Sequence, residues 1–471
     1  MRPRAGNRDG RVVGITALGL AAAAVVAWLA LRSDAQKPPN VVLITIESLR
    51  PDHVGCYTGS RPTTPHLDAL AGESVVYERA HAVTSWTLAS HASLLTGLYP
   101  TAHGAVRPLS RLDEGHATLA ERLAAARYEC AAVVSGPYLR REHGLHQGFA
   151  SYDESPAGEA MASSHDDVTN EAMLRGIERF LAGRDRRRPF CLFAYFWDPH
   201  FDYIPPAPYD KLFVEPHHEP IDVRDYEAEE PVHAGIRPAQ LGYVRSQYEG
   251  EIRWTDEHLG RVFDRLREQG LWEDTLVVVT SDHGEEFFEH GKKGHKHSVY
   301  EESVHVPLVV KYPGQGPRGR DDRLVSLVDV LPTVLALTGA GEAHATAGRS
   351  LLAAPDPERA IFLELLETWY IHAPGEPEST ENLEWFSVIA GSEKLVFLPQ
   401  LPRFELYDLA TDPGELRDLA AAQPARVRAL MQRLEAWRAE QLERAKAFES
   451  GGQAELGEEA LERLRSLGYV R

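Results

Sequence analysis

The run Val41-Val42-Leu43-Ile44-Thr45-Ile46 is almost wholly apolar and rich in β-branched side chains. A strand with one wet face alternates polar and apolar residues. A strand that does not alternate is buried on both faces, as inside a parallel sheet covered by helices. Similar runs recur at Cys130–Val134, Phe190–Phe196, Thr275–Thr280 and Val306–Lys311, with helical patterns between them at about 115–127, 166–183, 238–269 and 326–338. Strands alternating with helices predict an α/β fold on a doubly wound, mostly parallel sheet. The character changes after about residue 355. Ala360–Leu365, Trp385–Gly391, Glu393–Leu398 and Phe404–Tyr407 read as shorter strands, some in hairpins, ahead of a long helix at about 424–448. These patterns predict a main domain over 40–355 and a smaller α+β subdomain over 356–471, with antiparallel strands and terminal helices. Segments 153–166 and 214–236 are acidic or rich in Pro and His and read as surface insertions.

The first 39 residues have a different character. Arg2, Arg4, Arg8 and Arg11 precede an uncharged stretch, Val12–Leu31. Twenty helical residues at 1.5 Å rise span about 30 Å, the hydrocarbon thickness of a bilayer. The stretch predicts one transmembrane helix, and the arginines place the short N-terminal tip in the cytoplasm. The remainder is then expected in the periplasm or outside the cell, as a single-pass membrane protein. A cleaved signal peptide is the alternative, although its apolar core is usually shorter.

Charge narrows the function. Fifty Lys and Arg against seventy Asp and Glu give a net charge of −20. Binding nucleic acid needs a basic footprint, so no nucleic-acid partner is expected. An anionic substrate requires its charge to be met locally, by a metal or a small cationic pocket. Three cysteines, Cys56, Cys130 and Cys191, exclude a disulfide scaffold and a Cys-based zinc module.

In a doubly wound sheet, ligands bind beyond the carboxyl ends of the strands. Glu47 stands just past the first run, Asp198 and His200 past the third, and Asp282 and His283 past the fourth. Three strands that deliver carboxylate and imidazole to one edge make a candidate metal site. Such a donor set suits zinc or manganese, and its carboxylates also suit magnesium or calcium. His283, His290, His295, His297 and His305 crowd the following segment. A second cluster is TSWTLASHASLLTGLYP, Thr84 to Pro100. Thr87 precedes a short amphipathic helical stretch and is placed as its N-cap. The same position favours phosphate or sulfate near its hydroxyl, because helix N-termini attract anions.

The motifs NVVLITIESLRPDHVGCY, RPTTPHLDAL, TSWTLASHASLLTGLYP, SDHGEEFFEHG, GHKHSVYEESVHVPLVV and LVDVLPTVLALTG occur in that order. With FELYDLATDPGELRDLA and the terminal LERLRSLGYV, they resemble the sulfatase family of the alkaline phosphatase superfamily. The resemblance spans Asn40 to Arg471 and implies an alkaline phosphatase-like fold with a sulfatase-like catalytic domain. Two residues depart from the pattern. Sulfatases carry C-x-P-S-R, or Ser first, and oxidise the first residue to formylglycine; the aligned stretch here is Thr87-Leu88-Ala89-Ser90-His91. Oxidised threonine gives a ketone, so that aldehyde chemistry is closed. Glu47 stands where related sequences usually have Asp. A site of Glu, Thr and an Asp-His pair is also similar to that of lipoteichoic acid synthases and phosphoethanolamine transferases, whose Thr is the nucleophile.

The resemblance implies a metal-dependent hydrolase or transferase that cleaves phosphate, or alternatively sulfate, esters. Glu47, Thr87, Asp282, His283 and His297 are expected around a divalent ion (Zn, Mn, Ca or Mg). Thr87 is the expected nucleophile, and His200, His91 and His295 are candidate acid–base groups. Asp52, His53 and Asp329 match family positions and read equally as structural. The substrate is expected to be an anionic ester of a glycan, a lipid head group or a small molecule. Two other readings stand beside this one: a sulfuric ester hydrolase without formylglycine, and an inactive binding protein on the same fold.

Overall fold

The computed structural model describes residues 37–160, 169–224, 226, 231–341, 346–367, 383–448 and 452–458. The anchor stretch Val12–Leu31, the terminal LERLRSLGYV and parts of the two insertions lie outside the described residues. Among the described residues, no helix is long and apolar enough to cross a membrane.

Eight strands form the main sheet. They are β1 (Asn40–Ile46), β2 (Val75–His81), β3 (Glu129–Val134), β4 (Ser151–Asp153), β5 (Phe190–Phe196), β6 (Thr275–Ser281), β7 (Leu308–Lys311) and β8 (Gly319–Ser326). Their spatial order is β8-β2-β7-β6-β1-β5-β3-β4. The sheet is mixed. β7 runs antiparallel to both β6 and β2, while the remaining neighbours are parallel. Between β6 and β7 the chain forms loops, a short hairpin and one four-residue helix. It makes no crossover helix there, and a parallel return needs one. β1 sits in the middle and is buried along its length after Asn40. Val41 and Leu43 pack into one apolar cluster, while Val42, Ile44 and Ile46 pack into another on the opposite face. The unbroken apolar run thus feeds two cores through the period-two alternation of a strand.

Helices cover both faces. α1 (Thr87–Thr96) lies with the first cluster; α2 (Asn170–Gly183) and α3 (Pro238–Glu268) lie with the second. α1 is buried on every side rather than amphipathic. α4 (Val330–Thr338) follows a short 3-10 turn, Leu327–Asp329. A second, four-stranded antiparallel sheet contains β9 (Ala360–Leu365), β10 (Trp385–Ala390), β11 (Glu393–Leu398) and β12 (Arg403–Asp408). α5 (Pro424–Ala445) sets Leu430, Leu434 and Trp437 against Phe386, Val388 and Leu406 of that sheet. Val83, Tyr99 and Val328 of the main body join the same cluster, so the two sheets share apolar contacts.

Candidate active site

β1 and β6 are parallel neighbours in a register that pairs Ile46 with Ser281. The next residue on each strand, Glu47 and Asp282, therefore leaves the same edge side by side. Ser48 turns the chain with a φ of +52° and gives its N–H to Asp282 Oδ1 at 3.2 Å, while its hydroxyl reaches Glu47 Oε1 at 3.0 Å. α1 begins over this edge. Trp86, not Thr87, is the N-cap residue, and its side chain makes no capping bond. As the first helical residue, Thr87 is relieved of capping and points its hydroxyl at the Glu47 carboxylate and the His283 imidazole. Thr87 Oγ1 lies 3.3 and 3.4 Å from the Glu47 oxygens and 3.2 Å from His283 Nε2.

His283 Nδ1 donates to the Gly284 carbonyl at 2.9 Å. That bond turns Nε2 inward, 3.1 Å from Glu47 Oε1 and 3.5 Å from Asp282 Oδ2, as a metal-ligating imidazole is usually held. Asp282 Oδ2 is buried with no hydrogen-bond donor on it. Burial opposes charge throughout, and the groups divide that cost. Burial tends to raise Glu47, but His283, with His200 and His295 behind it, carries its carboxyl well below the usual range. Burial and the Glu47 charge push Asp282 well above its usual range. Burial disfavours the His283 cation, yet Asp282 and Glu47 lift it to about 10. Two buried carboxylates beside one imidazole call for additional positive charge, and these donors fit a divalent ion.

The other expected residues separate into groups. His295 joins the cluster: its ligand atom and those of Glu47 and His283 lie within 4.8 Å of one another. Its ring is 4.5 Å from that of His283, and burial followed by the His283 charge lowers it to about 3. His200 stands at the margin, its ring 5.5 Å from that of His295 and its Nδ1 bonded to the Phe201 carbonyl at 2.6 Å. His297 does not reach the cluster formed by Glu47, His283 and His295; its Nε2 bonds the Lys293 carbonyl at 2.9 Å. His91 braces α1 on β1 instead of facing the nucleophile. Its Nδ1 bonds the Thr87 carbonyl at 2.8 Å and its Nε2 meets Thr45 Oγ1 at 2.9 Å. Asp198 turns back and accepts the Thr169 N–H at 3.1 Å at the start of α2. Asp52 pairs with Arg50, and His53 with Glu249. Asp329 accepts from the N–H groups of Ser326 and Arg349 and pairs with Arg359, which is a structural role.

Sequence reasoning missed Tyr195, Lys296 and Glu285. Tyr195 hides in an apolar run, but β5 pairs it with Thr45, and its hydroxyl bonds Glu47 Oε2. Lys296 has a φ of +67°, gives its N–H to the Ser85 carbonyl and sets its ammonium 4.1 Å from the centre of the ring of Trp86, the N-cap residue of α1. Its position between two histidines was the available signal. Glu285 lies buried with Oε1 3.4 Å from His295 Nδ1.

Comparisons with known proteins identify the family. Residues 39–340 match the sequence model named Sulfatase, and residues 289–441 match N-sulphoglucosamine sulphohydrolase, C-terminal. The multifunctional alkaline phosphatase superfamily protein PehA of Trinickia caryophylli is 28% identical, over 85% of this chain and 95% of its own. An arylsulfatase of Clostridium perfringens is 26% identical, over 81% and 90%. The crystal structure of a phosphonate monoester hydrolase of Agrobacterium radiobacter superposes with a TM-score of 0.68 at 26% identity, covering 86% of this chain and 96% of that one.

Proposed function

Because the chain belongs to the sulfatase family of ester-hydrolysing enzymes, we propose that it cleaves anionic phosphate esters with Thr87 as nucleophile. One observation carries this reading: the Thr87 hydroxyl, at the N-terminus of α1, sits 3.2 to 3.4 Å from His283 and Glu47. A threonine there attacks as an alcohol, since it cannot become an aldehyde. Glu47, Asp282, His283 and the Thr87 hydroxyl would hold one divalent ion, and the donor-free Asp282 Oδ2 fits it. Such an ion supplies charge to the ester oxygens and lowers the pKa of a neighbouring hydroxyl.

The chain's own residues do the remainder. The hydroxyl proton of Thr87 faces the Glu47 carboxylate, which Tyr195 and Ser48 hold in place. Thr87 Oγ1 forms the new bond to phosphorus, the ester P–O bond breaks, and the alcohol leaves with a proton. His200 has its Nδ1–H committed to the Phe201 carbonyl, so its proton exchange with alcohol or water runs through Nε2. Lys296 and the N-terminus of α1 add positive potential where the anion sits, locally, within a chain of net charge −20. Water then releases phosphate from Thr87.

A second reading is hydrolysis of sulfate esters by the same unmodified Thr87. The arylsulfatase relative and the sulphohydrolase match of the C-terminal part favour it. The uncharged stretch Val12–Leu31 with its four leading arginines anchors the enzyme in a membrane, with the catalytic part on the outer side. Protein isolated from membranes should keep its N-terminal residues; a mature chain beginning near residue 35 would overturn the anchor. The test of the chemistry is turnover of aryl phosphate, bis-aryl phosphate and aryl sulfate, followed by peptide mass mapping with a slow phosphodiester. A phosphoryl adduct on the peptide spanning residues 80–107 is expected. Rapid turnover that leaves that peptide unmodified would eliminate the mechanism.

A further inference from the structure

The active site occupies one edge of the main sheet, and the chain enters the sheet at the other. β1, β3, β5 and β6 run parallel, so Asn40, Glu129, Phe190 and Thr275 all begin their strands at that opposite edge. Along β1, from Asn40 to Glu47, an extended chain rising about 3.3 Å per residue covers about 23 Å.

The entry point is tied into a basic strip. Lys37 and Pro38 are exposed, whereas Pro39 is buried and its carbonyl accepts the Tyr128 hydroxyl at 2.8 Å. The Arg188 guanidinium donates to the Tyr128 carbonyl at 2.6 Å and to the Arg127 carbonyl at 3.0 Å. Asn40 Oδ1 accepts the Phe190 N–H at 3.2 Å. The loop Arg184-Asp185-Arg186-Arg187-Arg188 is thereby fixed beside the start of β1. Arg127, Arg186, Arg187 and Arg188 are exposed, and Arg184 is half-buried, 5.2 Å from the centre of the Phe190 ring. Two carboxylates stand among these five arginines. Glu129 accepts the Asp185 N–H at 2.7 Å, and Asp185 pairs with Arg187 at 2.9 Å. Asp274, whose carbonyl accepts the Asn40 N–H at 2.9 Å, offsets Lys37 on the other side of β1. The strip keeps an excess of three positive charges in a chain whose net charge is −20. Positive charge gathered on one surface of so acidic a protein suits an anionic partner.

The preceding sequence says which partner. The uncharged stretch ends at Leu31, and Lys37 follows six residues later. Six residues reach at most about 20 Å, so a helix that leaves the bilayer at Leu31 keeps the strip near the membrane surface. Head-group charge acts there over about 10 Å at 0.1 M salt. We propose that the strip of Arg127 and Arg184 to Arg188 docks on the anionic head groups of the membrane that holds the chain, so that the catalytic edge faces away from that bilayer. The proposal rests on the anchor reading of Val12–Leu31. Thr87 and its neighbours then receive an ester of a glycan or a small molecule from the aqueous side, not a lipid head group of the same membrane.

The test uses the full chain in nanodiscs of phosphatidylcholine, with and without phosphatidylglycerol. Peptide mass mapping after treatment with an arginine-specific dicarbonyl reads Arg127 and Arg186. Both should react about fivefold more slowly in the anionic discs, and the difference should vanish at about 1 M salt. Arg417, exposed in the C-terminal part, should react equally in both. Arg186→Glu combined with Arg187→Glu should abolish the difference at Arg127. Equal rates at Arg127 and Arg186 in the two discs, for a chain that resists carbonate extraction from membranes, would overturn the docking and leave the anchor standing. A chain that carbonate strips from membranes would overturn both. Cleavage of a phospholipid within the chain's own disc would overturn the outward-facing site.

Discussion

Lys394 on β11 is fully buried and sets its ammonium 2.9 Å from Glu301 and 2.9 Å from Glu415. Glu301 also meets His81 at 3.1 Å, and its N–H donates to Glu415 at 2.6 Å. Replacing Lys394 by Met keeps the volume and removes the charge. Two carboxylates would then face each other without a cation. Removing one partner of a buried pair costs about 3–5 kcal/mol. Unfolding entropy scales with length, so for the 471 residues of this chain each kcal/mol lowers the melting temperature by roughly 1 °C, and a fall of about 3–5 °C is expected. The loss should also depend on pH. Even with Lys394 in place, burial holds Glu415 up at about 7. Without the lysine, the folded variant retains a proton that the unfolded chain releases above the ordinary glutamate range. A folded-state pKa that lies high gives stability at low pH that is lost as pH rises. Lys394→Met should therefore lie nearer wild type at pH 5.5 than at pH 8. Differential scanning calorimetry at both values reads this directly. A melting temperature within 2 °C of wild type at pH 8, or a deficit that does not grow between the two pH values, would refute the argument. Glu301 follows His295 by six residues, so turnover by the folded variant should also fall.

Thr87→Ala removes contacts of 3.2 to 3.4 Å, while Glu47 keeps Tyr195, Ser48 and His283. Stability should drop by about 1 kcal/mol and turnover by about a thousandfold or more. Thr87→Ser should retain measurable activity, and steady-state kinetics with matched melting curves check both. His290 meets Glu302 at 2.5 Å; burial opposes its charge, but that bond and the Glu302 charge raise it to about 9. The pair's contribution is full below pH 6.5 and is lost as pH rises through about 9. It is set at about 1 kcal/mol because the ring is partly solvated. His290→Gln should flatten that part of the stability profile in denaturant titrations at pH 6.5 and 9.5.

The parts of the site that were legible in sequence are those fixed by strand ends. Glu47 and Asp282 needed only two unbroken apolar runs and the rule that parallel strands deliver their next residues to one edge. The register of Ile46 with Ser281 then puts them together. β2 and β8 were not legible, because their outward positions are charged: β8 is a sheet edge whose first half, Gly319 to Arg323, is largely solvated. A strand with one wet end resembles a loop in hydropathy. Asp198 misled for a related reason. It stands at a strand end like Glu47, but the start of α2 lies nearby and takes its carboxylate as an acceptor for the Thr169 N–H.

The histidines were legible as a group and illegible as individuals. His295 and His297 are two residues apart, and in regular strand they would point to one face. Lys296 breaks that rule with its φ of +67°. The turn leaves His295 within the ligand cluster and bonds His297 to the Lys293 carbonyl. It also carries the Lys296 ammonium to the Trp86 ring. One backbone dihedral, outside the range that composition or spacing can report, thus decides which imidazole meets Glu47 and Glu285. Lys296 is therefore as much a determinant of the site's geometry as the ligands on either side of it. A substitution that disfavoured its backbone conformation would be felt first at His295.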